Sequence, residues 1–319
     1  MMCGLMVAFV VNAQQDPQFT QNMHNKLFPN PGVAGNNNAI CGTLLGRQQW
    51  VGFNGKPTTY MFSAHMPLSM ITALPIGAGL SVYSDKLGQF SYTGFKAAGA
   101  YRLAIGPGNL GVGISLGMLS VNLENGWVAL DDYQLDPTIP DAGASKSTFD
   151  ADFGAYYEIK DKLYVGLSML HLPSSTLKET DASTALVTDF FTYKVARHYY
   201  IMAGYTYQLE GMPLALDPST FIKTDGSSTQ MDFNLIATYN DMFWAGVSYR
   251  LQDAIAPMLG VKYPVNKKGI LKVGYSYDVT TSTLKKYSNG THEIMIGYCY
   301  DLSDDDAGNQ YRSVRHLNH

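Results

Sequence analysis

Apolar and polar residues alternate with a period of two along most of the chain. Residues 268–278 and 292–301 show the pattern most clearly, each with one apolar series and one small or charged series. Successive side chains of a β-strand point to opposite faces, so each stretch predicts a strand with one apolar face. About 14 segments of roughly ten residues share the pattern, and a tilted membrane-spanning strand has this length. No segment combines a 3.6-residue period with helix caps, so few helices are expected.

The apolar faces could form the core of a water-soluble sandwich or face the lipid around an outer-membrane barrel. Loop lengths separate the two classes, because a barrel that the chain enters from the periplasm has short turns at every second connection. With residues 40–50 as the first strand, the short connections are 158–161, 210–213, 240–241 and 264–267, and the long ones are 120–148, 172–197 and 280–291. The pattern therefore predicts an all-β transmembrane outer-membrane β-barrel of about 14 antiparallel strands, with short periplasmic turns and longer extracellular loops.

Composition agrees with this class. Charged residues make up 15% of the 319 residues, whereas roughly 25% is usual in soluble domains. The formal net charge is −4 without a basic cluster, which argues against nucleic-acid binding. Cys41 and Cys299 fall on the predicted first and last strands, which a barrel brings together. A disulfide can form there, although strand-facing cysteines more often simply pack.

Four regions are predicted along the chain. Residues 1–13 resemble the end of a secretory signal peptide with cleavage near Ala13, and the missing basic start indicates a truncated signal. Residues 14–39 form an irregular, polar and turn-rich segment. Residues 40–302 form the barrel, and residues 303–319 form a periplasmic C-terminal tail with three consecutive aspartates.

The irregular segment has neither helix nor strand period, so its order must come from packing against another part of the protein. We hypothesise that it partly plugs the barrel lumen. Buried irregular backbone needs partners for its N–H and C=O groups, which Arg47, Gln48 and Gln49 could supply beside Trp50. The alternative is that Arg47 and Gln49 only line the lumen and that Trp50 lies in the aromatic girdle.

Several motifs together resemble one known family. They are Gln15-Asp16-Pro17-Gln18-Phe19-Thr20-Gln21, Asn30-Pro31-Gly32-Val33-Ala34-Gly35, Arg47-Gln48-Gln49-Trp50-Val51-Gly52-Phe53 followed by Gly55 and Pro57, and His292-Glu293-Ile294-Met295-Ile296-Gly297-Tyr298. The chain resembles the PorP/SprF family of outer-membrane proteins of the type IX secretion system and its linked gliding motility machinery. One element departs from the family, because Asn-Pro-Gly-Val-Ala-Gly replaces the usual Asn-Pro-Ala-Tyr-Ala-Gly.

The resemblance implies a cell outer-membrane barrel that assists export of secreted proteins, or anchors them at the cell surface, through their C-terminal domain. It also implies contacts with periplasmic ring lipoproteins and an OmpA-like peptidoglycan-binding protein. It leaves open a second function from another class, a porin-like or hydrophobic-solute transport barrel.

The long extracellular loops are the predicted surface for a protein partner, because they place aromatic residues beside charges. The residues are Trp127, Asp131, Asp132 and Tyr133 in one loop, and Phe190, Phe191 and Tyr193 in the next. The alternative is that these side chains pack on one another and cap the barrel.

No constellation of residues predicts catalysis, a cofactor or a metal. The seven histidines have no metal-ligand spacing, and the pair His316 and His319 lies in the tail. Ser63 and His65 share a strand face, but any lumen-facing strand provides two such polar residues. We therefore expect a protein that is not an enzyme and binds no cofactor.

Overall fold

The computed structural model describes residues 16–52, 54–69, 71–72, 74–123, 145–180 and 189–302. These residues form a closed barrel of 14 antiparallel strands, as the sequence predicts. The first half of the wall is β1 (Ala39–Gln48), β2 (Thr58–Pro67), β3 (Ile76–Leu87), β4 (Phe90–Ile105), β5 (Gly108–Leu123), β6 (Ser145–Ile159) and β7 (Leu163–Leu170). A separate hairpin, β8 (Thr176–Thr180) and β9 (Asp189–Lys194), lies within the connection that follows.

The second half of the wall begins with an interrupted strand. It consists of β10 (His198–Tyr205) and β11 (Tyr207–Gln208), which both pair with β12 (Leu214–Thr224). The remaining strands are β13 (Thr229–Tyr239), β14 (Phe243–Arg250), β15 (Ala254–Pro264), β16 (Gly269–Thr280) and β17 (Thr291–Asp301). Each strand pairs with its neighbour, and β17 pairs with β1, so the wall has no free edge that lipid would have to tolerate.

The alternation of the sequence separates a lipid face from a lumen face. On β17, Ile294 and Ile296 are exposed on the outer face, whereas Glu293 is fully buried in the lumen. The outer face of the other strands is likewise apolar, as lipid requires. Exposed tyrosines lie near the strand ends, where aromatic girdles meet the lipid headgroups, and they are Tyr199, Tyr207, Tyr239, Tyr263 and Tyr300.

Connections of unequal length mark the two ends of the barrel. Residues 106–107, 160–162, 240–242 and 265–268 are short periplasmic turns, whereas the long connections 124–144, 171–197 and 281–290 join strands at their extracellular ends. Three other extracellular connections, 88–89, 225–228 and 251–253, are as short as the periplasmic turns. One periplasmic connection, residues 68–75, is longer than the rule predicts. None of the helices that the structure describes is long and apolar enough to cross a membrane.

A disulfide joins the first and last strands. Cys41 lies directly opposite Cys299 in the pairing of β1 with β17, and the two sulfurs are bonded. The expectation that these cysteines simply pack was therefore wrong. Barrel closure brings two residues that are 258 positions apart into the same register, so a covalent link spans the strand pair that closes the wall.

Candidate functional site

Residues 16–38 lie inside the lumen and pass from its extracellular end to its periplasmic end. Asp16 contacts His171 and Tyr200 near the extracellular ends of β7 and β10. Asn36 contacts Glu158 and Arg102 near the periplasmic ends of β6 and β4. The segment has only short 3₁₀ turns among its described residues, so its backbone depends on the wall for partners.

Wall carboxylates bind the segment near the extracellular end. The carboxylate of Glu293 accepts hydrogen bonds from the backbone N–H groups of Thr20 and Gln21, at 2.8 and 2.7 Å. The hydroxyl of Thr20 donates to Asp278 at 2.8 Å. A buried carboxylate that accepts two backbone N–H groups supplies the partners that an irregular segment lacks.

Two arginines neutralise these carboxylates. The guanidinium of Arg47 is 1% exposed and contacts Asp278 at 2.8 Å and Glu293 at 2.9 Å. Arg250 contacts Asp278 at 3.1 Å and Asp232 at 3.1 Å. Five strands, β1, β13, β14, β16 and β17, thus bring charges together. We call these five side chains, Arg47, Asp232, Arg250, Asp278 and Glu293, the arginine cluster.

A second polar group, which we call the histidine cluster, consists of Asp16, Lys96, Asp150, Asp152 and His171. The imidazole of His171 contacts Asp16 through Nε2 at 2.7 Å and Asp150 through Nδ1 at 2.8 Å. The ammonium of Lys96 contacts Asp150 at 3.0 Å and Asp152 at 2.9 Å. All five side chains are buried. Carboxylates on both ring nitrogens favour the doubly protonated imidazolium, so His171 links the segment to β6 as a cation.

The charges of this cluster shift the pKa of its members outside the strands. Burial lowers the pKa of His171, but Asp16 and Asp150 outweigh burial and raise it to about 9. Burial raises the pKa of Asp16, but His171 and His198 outweigh burial and hold it well below its usual range. The link is therefore an ion pair at neutral pH.

A candidate metal group overlaps this cluster. Ligand atoms of Asp16, His171 and His198 lie within 4.8 Å of one another, and the same holds for Asp150, Asp152 and His171. A divalent cation could bind only after His171 loses a proton, because both of its ring nitrogens already contact carboxylates. Lys96 already balances part of the carboxylate charge at this site.

The Asn-Pro-Gly motif packs against glycines of the wall. The Asn30 amide donates to the carbonyl oxygens of Ala155 at 3.0 Å and Leu167 at 3.3 Å, and its own oxygen accepts from the Gly32 N–H. A methyl group at Gly113 would lie 2.5 Å from the Pro31 oxygen, so the close approach requires glycine there. Gly35 has φ 70°, a left-handed conformation that favours glycine.

The remaining signature residues have different environments. Gln48 points outward, and its side chain accepts from the Lys56 ammonium at 3.1 Å. Gln49 is half-buried, and its backbone N–H donates to Pro57, which is buried. Trp50 is half-buried with φ 52°, and its backbone N–H donates to the Thr291 hydroxyl. Arg47 is thus the residue of this motif whose side chain contacts the lumen segment in the structure.

The predicted partner-binding residues are described only in part. Trp127, Asp131, Asp132 and Tyr133 lie outside the described residues. Phe190 and Phe191 lie on β9 of the hairpin in the next extracellular connection. Tyr193, on the same strand, is half-buried, and its ring lies 5.7 Å from that of Tyr92.

The hairpin that carries these residues joins an apolar group at the extracellular end of the lumen. Leu177 on β8 and Val195 after β9 are buried with Leu119, Val121 and Leu123 of β5. Phe19 of the lumen segment belongs to the same group. The hairpin therefore packs on the wall and on the lumen segment.

Comparisons with known proteins agree with this architecture. The chain is similar in structure to the toluene transporter TbuX of Ralstonia pickettii (TM-score 0.51, 12% identity, 87% of this chain and 93% of that chain). It is also similar to the toluene transporter TodX of Pseudomonas putida (TM-score 0.50, 11% identity, 86% and 93%). At these identities the likeness shows the outer-membrane barrel fold alone. The chain has no match among curated protein sequences.

The sequence model of one family covers most of the chain. It is described as type IX secretion system membrane protein PorP/SprF, and it matches residues 11–298. That range contains the lumen segment, the arginine cluster and the histidine cluster. The chain belongs to the PorP/SprF family of type IX secretion system membrane proteins and is an outer-membrane β-barrel.

Proposed function

We propose that this barrel assists export of secreted proteins, or anchors them at the cell surface, by binding their type IX C-terminal domain. We further propose that it works with periplasmic ring lipoproteins or an OmpA-like peptidoglycan-binding protein. Membership of the family supports a role in type IX secretion. The finer assignment rests on one feature, a lumen that holds its own segment from one end to the other.

A filled lumen favours a binding role over a general pore. The segment is held by the arginine cluster near the extracellular end, by Asn30 in the middle and by Asn36 near the periplasmic end. A porin keeps a water-filled path with polar walls, whereas here the inward groups already bind the protein itself. The surfaces that stay free for a large partner are the loops at the two ends.

Affinity purification from outer membranes under gentle detergent tests the proposal. We expect a secreted protein with a type IX C-terminal domain to co-purify, and periplasmic ring lipoproteins or the OmpA-like protein with it. A variant with residues 124–144 and 176–194 replaced by short turns should lose the secreted protein and keep the periplasmic ones. Exchange of the periplasmic turn 265–268 for another short turn is the control. A barrel recovered without these proteins would contradict the proposal.

A second candidate function is transport of hydrophobic solutes. A small cavity between the segment and the wall is lined mainly by apolar atoms, with Phe19, Phe28, Pro29, Tyr200 and Phe221 around it. The toluene transporters share the barrel fold. Uptake of labelled toluene into proteoliposomes would support this candidate, provided that Phe19→Asp abolishes it.

A further inference from the structure

The periplasmic half of the lumen contains a group of lysines. Lys262 on β15 and Lys272 on β16 are directly opposite each other in the strand register, and both are half-buried on the lumen face. Like charges directly opposite each other in a sheet destabilise it. Lys26 of the lumen segment is in the same half of the lumen, because its ammonium lies 3.4 Å from the Tyr156 hydroxyl near the periplasmic end of β6.

Lys262 and Lys272 lack the carboxylate partners that Arg47 and Lys96 have. Arg47 and Lys96 each contact two carboxylates within 3.0 Å. In the part of the chain that the structure describes, no salt bridge reaches Lys262 or Lys272. Buried charges are normally paired. Two half-buried ammonium groups that face each other inside the lumen without a carboxylate therefore form a position that favours an anion.

The lumen segment adds a third cation and an imidazole. The Lys26 ammonium lies 3.4 Å from the centre of the Tyr164 ring, which is a cation–π contact. The centre of the His24 ring lies 5.0 Å from that of the Trp244 ring. Its Nε2 atom is buried and has no partner within the described residues.

We propose that Lys262, Lys272 and Lys26 form an anion site near the periplasmic rim that takes the carboxylates of an acidic peptide. Lys262 lies close to the end of β15 at Pro264, and Lys272 lies close to the start of β16 at Gly269, so both are near the periplasmic rim. Ammonium groups on flexible stems can converge on neighbouring carboxylates that enter from this rim.

Two sources could supply a run of carboxylates. One is this chain, because Asp304-Asp305-Asp306 follow Leu302 in the sequence, and the Leu302 N–H donates to Asn38 at the same rim. The other is an acidic segment of a periplasmic protein. This site goes beyond the proposed function, which assigns no partner to the lumen lysines, and it does not depend on it.

Fluorescence anisotropy of the full chain in detergent at low salt tests the site. The probe is a labelled Ser-Asp-Asp-Asp-Ala-Gly peptide, and it is titrated with wild type and with full-length Asp304→Asn/Asp305→Asn/Asp306→Asn. We expect at least one of these proteins to bind the probe, with affinity that falls as salt rises. Tenfold tighter binding by the triple variant identifies the chain's own tail as the occupant, whereas equal binding identifies an external segment.

The site itself is tested by removing the two charges on the strands. Lys262→Gln/Lys272→Gln, made in the background that binds the probe, should weaken binding at least tenfold. Lys160→Gln/Lys162→Gln is the matched control, because it removes the same charge from exposed positions of a periplasmic turn and should change binding less than twofold. The double variant is expected to fold, since it relieves a like-charge contact. Equal binding by the two double variants, or no binding by any form, would overturn the proposal.

Discussion

Arg47 is the residue through which the wall and the lumen segment depend most directly on each other. It contacts Asp278 and Glu293, and it donates to the Thr20 hydroxyl at 2.9 Å. Loss of one partner of a buried ion pair leaves an uncompensated charge and costs about 3–5 kcal/mol. We expect Arg47→Gln to lower the thermal unfolding midpoint and to speed proteolysis between residues 16 and 38.

Gln48 provides the matched control for this prediction. It is the next residue on β1, but its side chain faces outward and accepts a hydrogen bond from Lys56 instead of contacting the lumen segment. Gln48→Ala should leave both the unfolding midpoint and the proteolysis rate unchanged. If Arg47→Gln and Gln48→Ala behaved alike, the arginine cluster would not hold the segment.

His171 makes the attachment of the segment depend on pH. Its pKa is raised to about 9, so the stabilisation is complete below about 6.5 and is lost as the pH rises through about 9. We expect proteolysis of the segment to accelerate above pH 9 in wild type. In the His171→Gln variant, the segment should be cleaved faster than in wild type at pH 7, and its cleavage should not accelerate further above pH 9. A step of the same size in both proteins would assign it to another group.

The histidine cluster also shows what could not be read from the sequence. His171 and His198 look scattered, and Asp16 lies in a segment without period, so no spacing connects them. They meet because the long connection between β7 and β10 starts and ends at the same part of the rim, where the segment arrives. The sequence contains one signal that could have connected the two histidines, because both flank that connection next to predicted strands.

At the scale of elements, the wall was predictable because its period is local. Strand faces, strand number and the sorting of short and long connections follow from alternation and from lipid outside the barrel. The disulfide does not follow from the packing preference of strand cysteines, because that preference carries no information about strand register. The pairing of Cys41 with Cys299 requires β1 and β17 to meet without an offset, and only the closed wall fixes that.

The contact between β5 and the Asn-Pro-Gly motif gives a prediction for a single element. A methyl group at Gly113 would lie 2.5 Å from the Pro31 oxygen and close to other backbone atoms of Pro31 and Gly32. Backbone atoms cannot rotate away as a flexible side chain can, so Gly113→Ala should displace the motif. We expect faster proteolysis near residue 31 and a raised ion conductance in planar bilayers. Gly99→Ala on β4 is the control, because nothing lies within 4 Å of an added methyl group there. Equal conductance of the two variants would contradict the close contact.

At the scale of the whole molecule, the lumen segment and the wall form one structure that is held at both ends. The arginine and histidine clusters hold the extracellular end, and Asn36 holds the periplasmic end through Glu158 and Arg102. The wall is itself closed by strand pairing and by the disulfide, so it does not need the segment for its hydrogen bonds. Removing the segment should therefore empty the lumen without opening the barrel.

Deletion of residues 14–35 tests whether the segment closes the lumen to ions. We expect the variant to migrate as a folded, heat-modifiable barrel and to conduct in planar bilayers, whereas wild type conducts little. The variant should also be less stable, because Arg47, Arg250, Lys96 and their carboxylates then face water instead of the segment. Equal conductance of a folded variant and wild type would mean that the segment lines a path for ions instead of blocking it, and would favour the transport function.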